Sequence, residues 1–367
     1  MAERRQDTAA PPKPGRDTGS LLMAAGTGLL LLGLAGLGVY FASAVNDGDA
    51  GTTGLGNEWR YDTPRREIPA ELNRWKQLRV LPTGLDQPRG LAVDANGSVA
   101  VVGDRELRRF TPDGQPIHSP VSFGGEPQAV AWGADGTVYV ALIDRLAVVP
   151  PEGEGPTVTW PQLGPRARLT SVAVTEYGIY VADAGNRAIY RYDRSGQRLG
   201  RLHPPRQAPD ANTAPTTAEA DANTSDGGFI VRSAHLDVAA APDGLLRVAH
   251  CGRLLIEAYT PAGQREFAWG AAGADVAAFS GCCNPAHLAV LDDGRIVTSE
   301  KGVLWAVKVF APDRPGQAHG ALRAVITAAP PGNETDRVLD IAAAGERVYV
   351  LDPASRTVDL YQPRTTP

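Results

Sequence analysis

One ten-residue pattern occurs six times along this 367-residue chain, and it constrains the fold more than any other feature. The copies begin at Pro88, Pro127, Leu169, His235, Pro285 and Val338. The fifth position of each copy is alanine, the fourth is Leu, Val or Ile, and the tenth is glycine in five copies. Strand-like runs such as TVYVAL and RVYVLD follow, separated by Asp/Asn/Gly turns. The chain is therefore predicted to consist of six equivalent all-β units.

The spacing of the six alanines indicates which kind of repeat this is. Successive alanines lie 39, 42, 66, 50 and 53 residues apart. The long interval contains residues 203–228, which lack Phe, Tyr, Trp, Leu, Ile, Val and Met and cannot add to a core; without them 40 residues remain. This period is typical of four-stranded propeller blades, whose innermost strands have room only for small side chains. We predict a six-bladed β-propeller over residues 75–363, because a β-sandwich would not explain an invariant alanine.

The last unit lacks a fourth strand. After RTVDLYQ only five residues remain, whereas the segment Gln77–Leu81 just before the first repeat is a strand without a partner in its own unit. We therefore predict that Gln77–Leu81 pairs with the sixth blade and closes the ring. Closure of this kind leaves no open sheet edge.

The segment Leu21–Ala42 is apolar and uncharged, and as a helix it would be about 33 Å long, enough to cross a hydrocarbon core of about 30 Å. The basic residues before it are Arg4, Arg5, Lys13 and Arg16. Only acidic charges follow it before Arg60, which predicts a cytoplasmic N-terminus. The alternative is a cleaved signal peptide, because Ala42-Ser43-Ala44 fits a small-x-small cleavage site. Both interpretations put the propeller outside the cytoplasm.

These patterns give the predicted domain organisation. A cytoplasmic tail (residues 1–20) precedes a transmembrane helix (21–42), an extracytoplasmic linker (43–74) and the propeller (75–363) with its flexible insert at 203–228. The formal net charge of −5 provides no basic field for a polyanion, so no nucleic-acid partner is expected.

Several segments carry a family resemblance. VADAGNRAIYRYDRSG (residues 181–196) resembles an NHL repeat, and the six units together resemble NHL six-bladed propellers. Segments 228–270 and 279–310 resemble a group of membrane-anchored bacterial NHL-repeat proteins with a Gly-Cys-Cys-Asn-Pro motif, here Gly281–Pro285. Where that group carries a further cysteine, this chain has Ser280, which argues against a four-ligand sulfur cluster.

The resemblance implies a single-pass protein of the bacterial inner (cytoplasmic) membrane, with the propeller in the periplasm or outside. NHL propellers most often bind or scaffold partners. Some related six-bladed propellers are lactonases or lyases with a metal on the axis.

The candidate chemistry is concentrated in blades four to six. In an up-and-down blade, the loop entering the inner strand and the turn between the second and third strands lie on one face, so the Cys282–His287 loop should lie beside the His250–Cys251 and Glu300–Lys301 turns. The third repeat position is small or neutral in blades one to three, and is Asp237, His287 and Asp340 in blades four to six. The candidate ligand-binding residues are His235, Asp237, His250, Asn284, His287, Glu300, Lys301, Asp340 and Asp352.

The cysteines Cys251, Cys282 and Cys283 allow three interpretations. Cys251 could form a disulfide with Cys282 or Cys283, which suits an extracytoplasmic location. Thiolates and imidazoles could instead hold a soft metal, although adjacent cysteines seldom converge on one tetrahedral centre. The third interpretation is buried thiols that pack under a loop.

The sequence predicts a binding or scaffold module with a ligand funnel on the face of these loops, the ligand being a protein or a small molecule. The alternative is a metal-dependent lactonase- or lyase-like enzyme with Ca or Zn on the axis, its ligands drawn from Asp237, His287, Glu300, Asp340 and Asp352. Turn acids such as Asp352 also commonly cap their own turns. A third alternative is a redox accessory that uses the Cys/His cluster. No catalytic nucleophile is identified.

Overall fold

The computed structural model describes residues 68–153, 158–202, 204, 228–281, 283–302, 304–330 and 337–364. Within these ranges the chain forms six four-stranded antiparallel sheets. The predicted all-β, six-bladed propeller is therefore confirmed. Short 3-10 helices lie before the first strand, at Ala70–Leu72, and in blade four, at Cys251–Arg253.

The strands follow one another from the axis outward in the first three blades. Blade one consists of β2 (Pro88–Val93), β3 (Val99–Gly103), β4 (Glu106–Phe110) and β5 (Val121–Ser122). Blade two consists of β6 (Pro127–Trp132), β7 (Val138–Leu142), β8 (Leu146–Val149) and β9 (Val158–Thr159). Blade three consists of β10 (Leu169–Thr175), β11 (Gly178–Asp183), β12 (Ala188–Tyr192) and β13 (Arg198–Arg201).

The other three blades include the one that closes the ring. Blade four consists of β14 (Asp237–Ala240), β15 (Leu246–His250), β16 (Leu255–Tyr259) and β17 (Arg265–Trp269). Blade five consists of β18 (His287–Val290), β19 (Ile296–Glu300), β20 (Ala306–Phe310) and β21 (Leu322–Ala328). Blade six consists of β22 (Asp340–Ala344), β23 (Arg347–Asp352), β24 (Thr357–Pro363) and β1 (Trp75–Pro82).

The invariant alanines lie on the six inner strands and line the central channel: Ala92, Ala131, Ala173, Ala239, Ala289 and Ala342. The glycine at the tenth repeat position lies in the turn between the first and second strands of a blade, where the chain reverses direction. Gly97 and Gly136 have φ of 89° and 83°, a region that residues with a Cβ rarely adopt.

Ring closure occurs as the sequence predicts. Strand β1 pairs antiparallel with β24, from Trp75 opposite Pro363 to Pro82 opposite Thr357. The last blade thus combines both ends of the propeller domain.

The hydrophobic core lies between neighbouring blades, and each of its clusters draws side chains from two adjacent sheets. Trp75 and Trp160 are buried in these layers at 3% and 7% exposure, so both are packing residues. Trp59 lies outside the described residues.

Several predicted segments lie outside the described residues: the tail 1–20, the span 21–42, the linker up to residue 67, and the insert 203–228 except Pro204 and Gly228. In the part of the chain that the structure describes, no helix has the length and apolar character needed to cross a membrane.

Trp75 should anchor the closing strand. Its side chain is buried in the same hydrophobic cluster as Val309 and Ala324 of blade five, so Trp75→Ala should lower the free energy of unfolding by about 3–5 kcal/mol. Urea denaturation of the full chain measures this. The matched control on β1 is Leu78→Ala, whose side chain is 42% exposed and should change stability by no more than about 0.5 kcal/mol. Equal losses for the two variants would show that β1 is not held by its buried face.

Candidate functional site

Charged side chains from three blades meet at one mouth of the central channel. Asp237, His287 and Asp340 begin the inner strands β14, β18 and β22 and line a cavity of about 250 Å³. His287 Nδ1 lies 3.3 Å from Asp340 Oδ1 and 3.6 Å from Asp237 Oδ2. The structure thus brings together the third-position residues of blades four to six. We call these three residues the axial cluster.

The carboxylates of the axial cluster also join neighbouring blades. Asp237 Oδ2 accepts the Leu288 N–H of blade five at 2.7 Å, and Asp340 Oδ2 accepts the Leu91 N–H of blade one at 2.7 Å. Ser171, at the same repeat position in blade three, shares hydrogen bonds of 3.2 Å with the backbone of Val238. The carboxylates are therefore held in fixed orientations by the sheets themselves.

The charges of the axial cluster depend on each other. Burial disfavours the His287 imidazolium, but the carboxylates of Asp340 and Asp237 outweigh burial and raise the pKa of His287 to about 9. Burial raises the pKa of Asp340 to about 6; the His287 charge opposes this shift and Asp237 adds to it. With both carboxylates ionised, one imidazolium leaves the cluster with a single net negative charge.

His235 and Lys301 lie beside the axial cluster. The rings of His235 and His287 meet edge to face with centroids 5.6 Å apart. Burial, together with the charges of His287 and Lys301, lowers the pKa of His235 to about 3. His235 is therefore neutral at physiological pH and can act only as a hydrogen-bonding or packing group there.

Cys251 and Cys283 lie on the same face. Cys251 is buried, has a free thiol, and its Sγ lies 2.7 Å from the carbonyl oxygen of His235. Burial, and then the proximity of Cys283, raise the pKa of the Cys251 thiol to about 11. A thiol that stays protonated at neutral pH is a poor metal ligand and nucleophile, which favours the packing interpretation for Cys251. Cys282 lies outside the described residues, so its pairing stays a prediction.

Asn284 and Glu300 hold the cysteine loop in place. The Asn284 side chain accepts the Lys301 N–H at 2.8 Å and donates to the carbonyl oxygens of Ser280 and Lys301. Glu300 is fully buried, pairs with Lys308 and accepts hydrogen bonds from Ser280 N–H and Oγ. Glu300 is thus not part of an exposed charged turn, because its carboxylate is used within blade five.

His250 is also a structural residue. It is 1% exposed, and its Nε2 accepts the Ile230 N–H at 2.8 Å. The proton of the neutral ring is then on Nδ1, which lies 3.1 Å from Glu257 Oε2. Both ring nitrogens are occupied, so in this structure His250 has no nitrogen for a ligand.

Asp352 likewise serves its own turn. One oxygen accepts the Ala354 N–H at 2.9 Å, and the other pairs with Arg337 Nη1 at 2.5 Å. This is the capping role that the sequence leaves open for turn acids.

Within the described ranges, no group of three or more His, Cys, Asp or Glu side chains is arranged to hold a metal ion. In the axial cluster His287 is an ion-pair partner of both aspartates, and each carboxylate oxygen also accepts a backbone N–H. The Ca or Zn site on the axis stays a prediction.

Sequence reasoning missed the partners Glu257 and Lys308. Both are the middle residues of apolar third strands, LIEAY in blade four and AVKVF in blade five. The sequence signal for these partners was a charged residue in the middle of an otherwise apolar strand, at the same position in both blades.

Comparisons with known proteins bear on the fold. No protein-family model and no curated protein matches the sequence. A protein of unknown function from Bacteroides thetaiotaomicron has a TM-score of 0.52 and 15% identity, over 80% of this chain and 72% of its own. A chain of a mitotic checkpoint complex gives 0.51 and 12%, over 83% and 97%. Virginiamycin B lyase from Staphylococcus aureus gives 0.49 and 12%, over 79% and 100%. At these identities, the two structures with TM-scores above 0.5 show a shared fold alone.

The raised pKa of Asp340, which burial causes first and the charge of Asp237 increases, predicts a pH dependence of stability. Because folding raises the pKa of Asp340 from 3.8 to about 6, its contribution is complete below pH 4 and is lost as the pH rises through 6. Asp340→Asn has no titrating group at this position and should not lose stability in this way. The difference in free energy of unfolding, wild type minus variant, should therefore fall by on the order of 2 kcal/mol between pH 4 and 6. Urea denaturation at stepped pH measures this difference.

The matched control is Asp113→Asn, whose carboxylate is 87% exposed. This variant should follow the wild type across the same range. A constant difference between the free energies of unfolding of the wild type and Asp340→Asn would contradict the raised pKa of Asp340.

Proposed function

We propose that the chain is a membrane-anchored, extracytoplasmic binding module that takes its ligand into the charged mouth of the channel. The observation that carries the proposal is the axial cluster of Asp237, His287 and Asp340. Elsewhere the wall of this cavity is formed mainly by Ala, Val, Leu and other small or apolar residues.

The rigidity of the cluster supports a binding role. Backbone N–H groups of four different blades fix both carboxylates, so a ligand would meet preorganised groups and would not have to order them. The residues that anchor the surrounding loops, Asn284 and Glu300, are buried and leave the mouth unobstructed by their side chains.

The charge of the site selects the ligand. The axial cluster itself carries one net negative charge, with Lys301 beside it, and the carboxylate oxygens of Asp237 and Asp340 are acceptors that suit an ammonium or another cationic hydrogen-bond donor. A cavity of about 250 Å³ admits a small molecule or one protruding lysine side chain of a partner protein. The binding proposal therefore covers both kinds of ligand through the same chemistry.

The anchoring part of the proposal depends on the sequence. The apolar segment 21–42 with basic residues before it supports one span in the bacterial inner membrane with the propeller outside the cytoplasm. The NHL-like segment 181–196 supports assignment to NHL-type propellers.

The alternatives are a Ca- or Zn-dependent lactonase- or lyase-like enzyme and a redox accessory. A metal bound through His287 would need a deprotonated imidazole, whereas the two aspartates hold a proton on it by raising its pKa to about 9. A redox role would need a reactive thiolate, and the pKa of Cys251, raised to about 11, argues against one there. No described contact favours either alternative over binding.

A matched pair of probes tests the cationic ligand. Nα-acetyl-lysine methylamide should bind the full chain in detergent at pH 7.5, whereas the norleucine analogue, which lacks only the ammonium, should not. Asp340→Asn keeps an oxygen for the Leu91 N–H but removes one charge, so it should weaken lysine binding about ten-fold. Isothermal titration measures both effects.

Ser171→Ala is the matched control, because Ser171 lines the uncharged half of the same mouth. It should bind the lysine probe like the wild type. Equal binding of the two probes, or unchanged binding by Asp340→Asn, would contradict the proposal. Stoichiometric zinc or calcium in the purified protein that disappears in His287→Ala would favour the enzyme instead.

The topology is tested by reporter fusions. Alkaline phosphatase fused after Arg60 should be active, since it folds only outside the cytoplasm, and the same enzyme fused after Thr18 should be inactive. The reverse pattern would overturn the orientation.

A further inference from the structure

A second cavity, of about 460 Å³, lies at the end of the propeller opposite the axial cluster. Strand β22 runs from Asp340, in the axial cluster, to Ala344, and the turn that follows forms one wall of this cavity. The turn of blade one around Asn96 forms another wall, and the end of β24 at Gln362 completes it. The cavity thus lies where ring closure joins blades six and one. We call it the closure cavity.

Two arginines line the closure cavity. Arg347 begins β23 and Arg364 follows β24, and both are exposed to solvent. Among the described residues, no carboxylate lies within 4 Å of either guanidinium. Arg364 Nε donates to the carbonyl oxygen of Trp75 at 3.0 Å, which orients its guanidinium and leaves the terminal nitrogens for another acceptor.

The other lining groups are neutral donors and one acid. Asn96, Gln362 and Tyr349 contribute amide and hydroxyl groups, and Glu346 contributes the one carboxylate among the lining residues. The wall is open at the blade-one turn because Gly97 has no side chain; a Cβ there would lie 3.1 Å from Tyr349 Oη. Two guanidinium groups against one carboxylate leave the closure cavity with a net positive charge.

We infer that the closure cavity binds an oxyanion, a carboxylate or a phosphate, between Arg347 and Arg364. Guanidinium groups match both anions because their paired N–H donors fit two oxygens at once. The fold gives these arginines no ion-pair partner within the described chain, although it pairs many others, such as Arg247 with Asp243 and Asp313. The inference is independent of the axial cluster, which lies at the other mouth.

Inorganic phosphate and succinate are the probes, added to the full chain in detergent at constant ionic strength with chloride as the balancing ion. We expect a saturable rise in Tm with at least one probe, and the stronger probe identifies the anion class. Arg347→Gln combined with Arg364→Gln should weaken binding about ten-fold or more. Isothermal titration of the same proteins gives the Kd values.

Arg314→Gln is the matched control, because Arg314 is an exposed arginine in the β20–β21 loop of blade five. It removes one guanidinium charge outside the closure cavity and should leave the Kd unchanged. Unchanged binding by the double variant, equal weakening by Arg314→Gln, or no saturable response to either anion would each overturn the inference. Equal Tm values of the three proteins without anion verify that the variants fold.

Discussion

Everything in this propeller depends on the convergence of six inner strands at one axis. The fifth repeat position can hold only alanine because the strands crowd there, and all six alanines line the channel. The third position comes within hydrogen-bonding distance of the next blade, so Ser171, Asp237 and Asp340 each bond to the backbone of a neighbouring sheet. The same crowding that holds the blades together therefore concentrates two carboxylates and an imidazolium at one mouth.

Two buried pairs of ionisable side chains occupy the same strand positions in blades four and five. His250 ends the second strand of blade four and pairs with Glu257 in the third strand, while Glu300 ends the second strand of blade five and pairs with Lys308. All four side chains are at most 1% exposed. Removal of one partner would leave a buried charge or polar group unsatisfied. These pairs fix the turns that carry Cys251 and Lys301. They contribute to the mouth by holding these turns in position.

The sequence predicted those features that a repeated local constraint imposes. The alanine period predicted six blades, the missing fourth strand predicted closure by β1, and the third position predicted that Asp237, His287 and Asp340 would meet. It could not separate ligand-facing from buried polar residues, because His250 and Glu300 owe their burial to partners on the next strand. It also could not reveal the closure cavity, since Asn96 and Arg364 become neighbours only after the ring closes.

The axial cluster and the closure cavity lie at opposite ends of the propeller because of the strand directions. Each inner strand begins at the mouth of the axial cluster, where its third-position side chain faces the axis, and ends at the turns of the opposite face. At the first end, Asp237 and Asp340 are held by backbone donors, and His287 balances one of the two charges. At the other end, Arg347 and Arg364 follow a turn and a closing strand. Glu346, the acid of that turn, lines the same cavity, but among the described residues neither arginine has an ion-pair partner. An anion there and a cation at the axial cluster would therefore bind through separate groups, without competing for the same residues.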